Sequence, residues 1–391
     1  MNACVVAIAA TPLLAVATAY VVLSLAIGIR SQRLRALLLH VVARCRGVRL
    51  QWVTDPTVAL QVLRSSGDKG DLIETLLSAP AWRPIVSLEA VNGDQWQRMR
   101  VRFAQLIKAL PPLAKLTTIV EAHSRALLHA GGLVDARNVT ALSVASFFEW
   151  VFEREMDHEA LPAVCQATWE WRKQLALKGV ADERVKQRLL EWFEAEIRRT
   201  PKLYELFGEQ WVTPECYSLI LQPFVISPAI NLTDIAVAVK LWTKTAPVTE
   251  SITPEIIRQC VCSAHPFPVI ERYFPNGDVA IGVAPNTHVL IPLDEMAGAA
   301  FAAGVDLSFG AGARICAGRH VAMKAMTGLF TDSLVRSDRF QPELGHKYSG
   351  RHNDGKETMS ETIYQLQFAV RIVGSAVVHR LARLCKKWES R

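Results

Sequence analysis

FGAGARICAG, at residues 309–318, places one cysteine among three glycines and two residues after an arginine. A dinucleotide-binding fingerprint needs glycine at its first, third and sixth positions, and the sixth position counted from Gly310 is Ile315. The stretch is therefore not such a fingerprint. A helix is predicted to begin directly after Cys316, and the positive end of that helix would stabilise a thiolate.

The other residues of this stretch complete a site for a flat cofactor. Gly312 and Gly318 allow the backbone to approach the cofactor closely, because they carry no Cβ atom. Arg314 can pair with a carboxylate on the edge of the cofactor. A thiolate, a close flat contact and a carboxylate partner together describe haem iron with Cys316 as its axial ligand. The alternative is a buried cysteine in a glycine-rich turn.

The same stretch resembles the cysteine-ligand loop of the cytochrome P450 family, F-x-x-G-x-R-x-C-x-G. The residues at the defined positions are Phe309, Gly312, Arg314, Cys316 and Gly318. The resemblance implies the cytochrome P450 fold, which is mainly α with small β-sheets, and haem b bound through Cys316. It also implies that Phe309 packs near the thiolate and limits the access of water.

Three further stretches resemble the family and follow its order along the chain. WQRMR places Trp96 and Arg100 at the spacing of W-x-x-x-R, whose tryptophan and arginine contact a haem propionate. EIIR places Glu255 and Arg258 on one helix face, where we expect a buried ion pair that holds the cysteine side of the haem together. HPFPVIER then supplies Arg272 as a propionate-binding arginine. Alone, either of the first two patterns is also typical of a solvated amphipathic helix.

The helix expected on the opposite, distal side of the haem departs from the family pattern. The family usually carries an acid–alcohol pair, in the form A-G-x-[DE]-T, which kinks this helix and relays protons. The corresponding stretch at 222–247 contains no such run. Counting back from its end places Asn231 where the threonine stands, whereas another register uses Thr233 and Asp234 in reversed order. Pro228 is predicted to supply the kink.

The segment before the cysteine loop is also shorter than the family pattern. Residues 292–308 replace the usual meander, and the P-x-R-F signature is missing. The sequence therefore names no third partner for Glu255 and Arg258. The resemblance implies that an electron-donating reductase docks on this side of the molecule.

Composition limits the compartment and the partners. The chain has 391 residues and a formal net charge of +7. Its basic residues do not form a block interleaved with aromatic residues, so nucleic acid is not the expected partner. Eight dispersed cysteines do not form the pattern of a disulfide scaffold, which favours a cytosolic location for most of the chain. Cys260 and Cys262 are predicted to be packing residues rather than metal ligands.

The N-terminus is predicted to anchor the protein in a membrane. Residues 3–29 carry no charged side chain, and 27 residues of helix span a bilayer. Arginines follow at once, beginning with Arg30, which places that side in the cytosol. We therefore expect a transmembrane helix at 1–29 and one haem-thiolate domain at 30–391. As in microsomal members of the family, the expected location is the endoplasmic reticulum membrane, with a single pass. The alternative is a cleaved signal peptide, although a basic start is missing.

Helical periodicity dominates the remainder of the chain, and no internal repeat is visible. Helices are predicted at 94–110, 184–199, 231–244 and 319–335. Strands are predicted as a pair within 278–293, with a turn at Pro285 and Asn286, and again at 361–373. The end of the chain, at 379–391, is predicted to be a basic amphipathic helix.

These features favour a haem-thiolate monooxygenase. The resemblance implies insertion of one oxygen atom from O₂ into a lipophilic substrate, such as a sterol, a fatty acid or a secondary metabolite. It implies electrons from NADPH through NADPH–cytochrome P450 reductase. A second hypothesis is an isomerase or dehydratase that acts on a peroxide substrate without a reductase. A third is a haem-binding protein without catalytic activity.

Overall fold

A computed structural model describes residues 39–40, 43–44, 46–65, 67–72, 79–175, 179–207, 214–247 and 249–345. The predicted anchor at 1–29, the predicted strands at 361–373 and the basic segment at 379–391 lie outside these residues. Within the described ranges, helices predominate and accompany a three-stranded sheet. This is the mainly α architecture with little β-structure that the sequence predicts.

The helices vary in length from short turns of four residues to one of 32 residues. In chain order they are α1 Pro56–Arg64, α2 Ala79–Trp82, α3 Gly93–Ala109, α4 Leu113–His129, α5 Ala136–Phe152, α6 Ala160–Leu175, α7 Glu183–Arg198, α8 Pro201–Phe207, α9 Pro214–Thr245, α10 Pro254–Ser263, α11 Leu293–Ala302, α12 Arg319–Leu329 and α13 Asp332–Val335. Short 3₁₀ turns lie at Leu88–Ala90, Val279–Ile281 and Gly312–Arg314.

Three of the four predicted helices are confirmed as α3, α7 and the second half of α9. The fourth prediction, 319–335, is wrong in its continuity, because α12 ends at Leu329 and α13 begins at Asp332. Phe330 and Thr331 leave the helical conformation between them. The chain turns at Phe330, and this turn places the Phe330 side chain in the hydrophobic core.

The sheet consists of β1 Arg49–Trp52, β2 Ile270–Phe274 and β3 Thr287–Ile291, in the order β1-β3-β2. Strand β3 is parallel to β1 and antiparallel to β2. All five residues of β3 are buried, as expected for a central strand covered on both faces.

The predicted strand pair within 278–293 is therefore wrong in its first half. Only β3 is a strand there, and its antiparallel partner is β2, which lies upstream of the predicted pair. Asp278 and Val283 instead close a tight turn through two backbone hydrogen bonds, with Val279 exposed at its tip. The predicted turn at Asn286 is confirmed by its positive φ of 55°.

The main hydrophobic core surrounds α5. This helix is apolar on nearly all sides, so it is buried, and it packs against α4, α6 and α9. An aromatic cluster fills the space toward α9 and α3, where Phe224 stacks on Phe103 and on Phe147, with ring centroids 5.9 and 6.3 Å apart. A smaller core lies between the sheet, α1 and α11. The cysteine loop begins where these two cores meet.

Helix α9 is, among the described residues, the one that is long and apolar enough to cross a membrane. Two thirds of its most apolar window, 67 %, is buried inside the protein, as in the core helix of a globular domain. Tyr217–Ile226 is a π-helix, and Ser227–Thr245 is an α-helix. The helix changes from π to α geometry at Ser227, directly before Pro228, and the kink at Pro228 stays a prediction.

Candidate active site

The cysteine loop lies between α11 and α12. The N–H of Cys316 donates to the carbonyl oxygen of Phe309 over 3.0 Å, which closes the loop across its base. Helix α12 begins at Arg319, directly after the loop, as predicted. A Cβ atom on Gly318 would stand 4.0 Å from the Cys316 sulphur, so the half-buried sulphur lies beside the first turn of α12. The positive end of this helix therefore stabilises negative charge on the sulphur.

The conformation of the loop depends on Gly312. Its φ of +72° is a left-handed conformation that residues with a side chain rarely adopt. A Cβ atom there would stand 2.1 Å from the Leu63 carbonyl oxygen and 2.8 Å from the Cα of Arg64. The loop therefore packs directly against the end of α1, and there is no room for a side chain at position 312.

Helix α3 brings the predicted Trp96 and Arg100 to the same loop. Arg100 Nη1 donates to the carbonyl oxygen of Ile315, the residue before the cysteine, over 3.0 Å. The Arg100 and Arg314 guanidinium carbons lie 5.7 and 4.6 Å from the centre of the Trp96 ring. Two of the predicted cofactor-binding side chains, Arg100 and Arg314, therefore contact a third, Trp96, beside the cysteine loop.

Arg314 makes further contacts with the segments that precede α3. Its Nη1 donates to the Val91 carbonyl oxygen over 3.1 Å, and its Nη2 donates to Asn92 Oδ1. The Asp68 carboxylate lies 3.8 Å from the same Nη2. Neither Asn92 nor Asp68 belongs to a motif that the sequence analysis singled out.

The predicted Arg272 lies on β2, the strand beside the cysteine loop. A Cβ atom on Gly310 would stand 3.7 Å from the Ile270 side chain of this strand. The Arg272 side chain is 2 % exposed, and its Nη1 donates to the Glu271 carbonyl oxygen over 2.9 Å. Arg272 belongs to the sheet, whereas Arg100 and Arg314 meet at Trp96. Phe309 is half-buried against the main core.

The ion pair of Glu255 and Arg258 forms, but the prediction that it is buried is wrong. The Glu255 side chain is 61 % exposed and that of Arg258 is 39 % exposed, because this first part of α10 lies at the surface. A third partner does exist. Asp306 Oδ2 lies 3.6 Å from Arg258 Nε, and the same carboxylate accepts from the N–H of Ser308. The pattern D-x-S was the available sequence signal for this turn.

The predicted distal residues on α9 have different surroundings. Thr233 is fully buried, and its hydroxyl donates to the Ala229 carbonyl oxygen over 2.6 Å, within its own helix. Asp234 forms an ion pair with Arg172 of α6, which also donates to the Ile230 carbonyl oxygen. Asn231 is half-buried on the same stretch. Sequence reasoning missed Arg172, whose only signal is a charge on the otherwise buried face of α6.

Two further observations concern residues around the loop. His320 is exposed in the first turn of α12. Cys260 and Cys262 are buried in α10, and burial raises the pKa of each thiol to about 12. The predicted packing role of both cysteines is therefore confirmed.

A cleft of about 260 Å³ opens beside the cysteine loop. Its lining includes Arg258, Asp306, Phe309, Ile315, Arg319 and His320. The cleft therefore combines arginines from two helices and the Asp306 carboxylate with apolar side chains of the cysteine loop.

The comparisons with known proteins identify the architecture. No protein-family model and no curated protein sequence matches the chain. CYP175A1 from Thermus thermophilus is 17 % identical, with a TM-score of 0.53 over 73 % of this chain and 82 % of that one. A six-coordinated cytochrome P450 from another strain of Thermus thermophilus is 17 % identical, with a TM-score of 0.52 over 77 % and 90 %. P450BioI, solved with a hexadec-9Z-enoic acid ligated acyl carrier protein, is 12 % identical, with a TM-score of 0.53 over 73 % and 84 %. The chain therefore has the cytochrome P450 fold, as its motifs predict.

Proposed function

We propose that the protein is a haem-thiolate enzyme that binds haem b with Cys316 as the axial ligand. The observation that carries this proposal is the gathering of Trp96, Arg100 and Arg314 around the loop that presents the Cys316 sulphur. A cysteine thiolate and several guanidinium groups are the donor set that a metal porphyrin with two carboxylates requires.

Each predicted residue has a role in holding the cofactor. Arg100, Arg272 and Arg314 would neutralise the propionates, whose burial without cationic partners is costly. The Trp96 indole would keep two of these guanidinium groups in place through cation–π contacts. Gly318 would leave room for the cofactor beside the Cys316 sulphur, whereas Gly312 lets the loop pack against α1. When bound, the haem supplies activation of oxygen, which the electron-donating thiolate favours.

We further propose that the reaction is a monooxygenation. One oxygen atom of O₂ would enter a lipophilic substrate, and the other would leave as water with two protons and two electrons. NADPH would supply the electrons through a reductase, which we place at the cleft beside the cysteine loop. Arg319 lines this cleft together with the Arg258–Asp306 ion pair, so the partner would meet charges of both signs there.

The protein's own side chains limit how protons reach the distal side. The Thr233 hydroxyl donates its hydrogen bond within its own helix, and the Asp234 carboxylate is paired with Arg172. Asn231 can orient a water molecule there but cannot release a proton as a carboxylic acid does. In this proposal Asn231 orients water, and the Arg172–Asp234 pair sets the charge around it.

The same engagement of Thr233 and Asp234 favours one alternative function. An enzyme that rearranges or dehydrates a peroxide substrate needs no relay of protons to O₂ and no reductase. NADPH-dependent consumption of O₂ with a reconstituted reductase would contradict this alternative. Conversion of an organic hydroperoxide without NADPH, together with no NADPH-dependent consumption, would support it.

The absorption spectrum of the reduced, CO-bound protein tests the thiolate ligation. We expect a Soret band shifted strongly to the red, and we expect the Cys316→Ser variant to lose that shift while it stays folded by circular dichroism. Cys165→Ser is the matched control, because Cys165 is a half-buried cysteine on α6. A wild-type protein that binds no haem, or binds it with the same spectrum as Cys316→Ser, would overturn the proposal.

For the location, we propose a single-pass protein of the endoplasmic reticulum membrane with its domain in the cytosol. The charge-free stretch at 3–29 and the arginines that follow it support this proposal. Resistance of the full chain to alkaline carbonate extraction is the expected result. Its release into the supernatant would contradict the anchor.

A further inference from the structure

Asn92 has an unusual use of its side chain. It stands at the N-cap position of α3, where an asparagine ordinarily accepts a hydrogen bond from the first helical turn. Here its side chain makes no cap bond. Instead, Oδ1 accepts from the Lys69 N–H over 2.8 Å, and Nδ2 donates to the Lys69 carbonyl oxygen over 3.1 Å. The same Oδ1 also accepts from Arg314 Nη2.

The segment around Lys69, whose backbone is hydrogen-bonded to Asn92, is also hydrogen-bonded to the sheet. Asp68, one residue before Lys69, exchanges two hydrogen bonds with Tyr273 of β2, of 2.9 and 2.8 Å. Strand β2 also carries Arg272. The backbone of 67–72 therefore links Arg314, through Asn92, to the strand that holds the other predicted propionate arginine.

Asp68 adds a charge to this arrangement. Its carboxylate lies 3.8 Å from Arg314 Nη2, and its side chain is 50 % exposed, whereas that of Arg314 is 9 % exposed. Two oppositely charged groups at this distance attract, so the positive field of Arg314 toward any second anion is reduced. Arg314 is thus oriented by one neighbour and partly neutralised by another.

We propose that Asn92 and Asp68 are positioning residues that set how strongly Arg314 acts on the acidic edge of the haem. This inference rests on the proposed function. Asn92 fixes the direction of the guanidinium, and Asp68 limits its effective charge. The two side chains therefore act in opposite directions on haem retention and on the reduction potential of the iron.

The signs follow from electrostatics. Reduction of the iron adds negative charge, so a well-placed cation favours the reduced form. Asn92→Ala removes one of the contacts that orient Arg314 and leaves those with Val91 and Trp96. We expect haem to leave about tenfold faster, as for a lost hydrogen bond to a charged group, with a lower reduction potential. Asp68→Asn removes the competing carboxylate, and we expect haem to leave about twofold more slowly, with a higher potential. A purely structural role would not produce opposite signs.

The test uses the full-length, haem-loaded protein. Transfer of haem to excess apomyoglobin gives the rate of loss, and spectroelectrochemistry gives the potential. Asp94→Asn is the charge-matched control, because Asp94 is exposed in the first turn of α3. If Asn92→Ala fails to fold, the exposed Asp68→Asn variant still decides the question by the sign of its shift.

The outcomes separate the two proposals. Opposite shifts in the two variants, with no shift in Asp94→Asn, support the inference. Unchanged or equal shifts overturn it, even if the wild-type CO spectrum confirms thiolate ligation. A wild-type protein without haem on Cys316 overturns the proposed function and the inference together.

Discussion

Arg100 donates a hydrogen bond to the Ile315 carbonyl oxygen over 3.0 Å, across 215 positions of sequence. This bond joins α3 to the residue that precedes the cysteine. Arg100 therefore has two roles in the proposed site, as a cation near the cofactor's acidic edge and as a support for the loop that carries the thiolate.

We expect Arg100→Ala to lower the free energy of unfolding by about 2 kcal/mol, because the Ile315 carbonyl loses a charged donor. Chemical denaturation followed by circular dichroism measures this effect. Arg98→Ala removes an exposed arginine from the same helix and should change the stability by less than about 0.5 kcal/mol. Equal losses in both variants would contradict the support role.

Gly312→Ala should be much more damaging than an ordinary glycine substitution. The new Cβ would meet the Leu63 carbonyl oxygen at 2.1 Å in addition to the strain of a positive φ. We expect a loss of about 3 kcal/mol or more and little incorporated haem. Gly304→Ala isolates the strain, because Gly304 has a φ of +83° in open space, and it should cost about 1 kcal/mol. Similar melting temperatures for the two variants would contradict the close approach of α1.

The Arg172–Asp234 pair between α6 and α9 should be strongly coupled. Asp234→Ala leaves Arg172, which is 3 % exposed, without its counter-ion, and we expect a loss of about 3 kcal/mol. The double variant with Arg172→Leu should lose less than the sum of the single variants. Glu153→Gln breaks the exposed pair with Lys202 and should cost less than about 1 kcal/mol. Additive losses at residues 172 and 234 would mean that the pair is not coupled.

Lys186 on α7 predicts a specific pH dependence of stability. Its ammonium is buried against the Trp171 ring and donates to Gln174 and to the Ala81 carbonyl oxygen. Burial lowers the pKa of Lys186 below 10.5, and the attraction of Glu183 opposes this in part. Between the lowered pKa and 10.5, the unfolded chain holds a proton that the folded chain has released, so stability rises with pH in that window.

Urea denaturation of the wild type and of Lys186→Met, measured at several pH values, checks this dependence. The difference in unfolding free energy, wild type minus variant, should be constant below the lowered pKa and should rise toward pH 10.5. Lys202→Met removes an exposed ammonium and is the charge-matched control. A difference that falls with rising pH would contradict the burial of Lys186 as a charged group.

Local patterns in the sequence were sufficient to predict the cysteine loop and several of the helices. The spacing of Phe309, Gly312, Arg314, Cys316 and Gly318, and the helix that begins after them, depends on residues within one loop and one turn. Trp96 and Arg100 are separated by one helical turn, so their shared face follows from helix geometry. Periodicity likewise predicted α3, α7 and the second half of α9, because an amphipathic or fully apolar pattern is itself local.

Local patterns could not predict which helix faces are exposed or which distant segments pair. The spacing of Glu255 and Arg258 places them on one face but does not say whether that face is covered, and the structure leaves it at the surface with Asp306. Strand β3 pairs with β2 and β1 rather than with residues 278–283, the adjoining segment that was predicted as its partner, because the burial of both its faces requires the central position of the sheet.

By itself, the sequence determined the pattern of the cysteine loop, including Arg314, and the helical character of the chain, since each depends on residues within a few positions. The tertiary structure alone decided that Arg100 reaches the Ile315 carbonyl oxygen, that Asn92 and Asp68 contact Arg314, and that Arg172 pairs with Asp234. The physical reason is that these partners lie between 62 and 246 positions apart. Their proximity is produced by the packing of whole helices and strands, which no local pattern encodes.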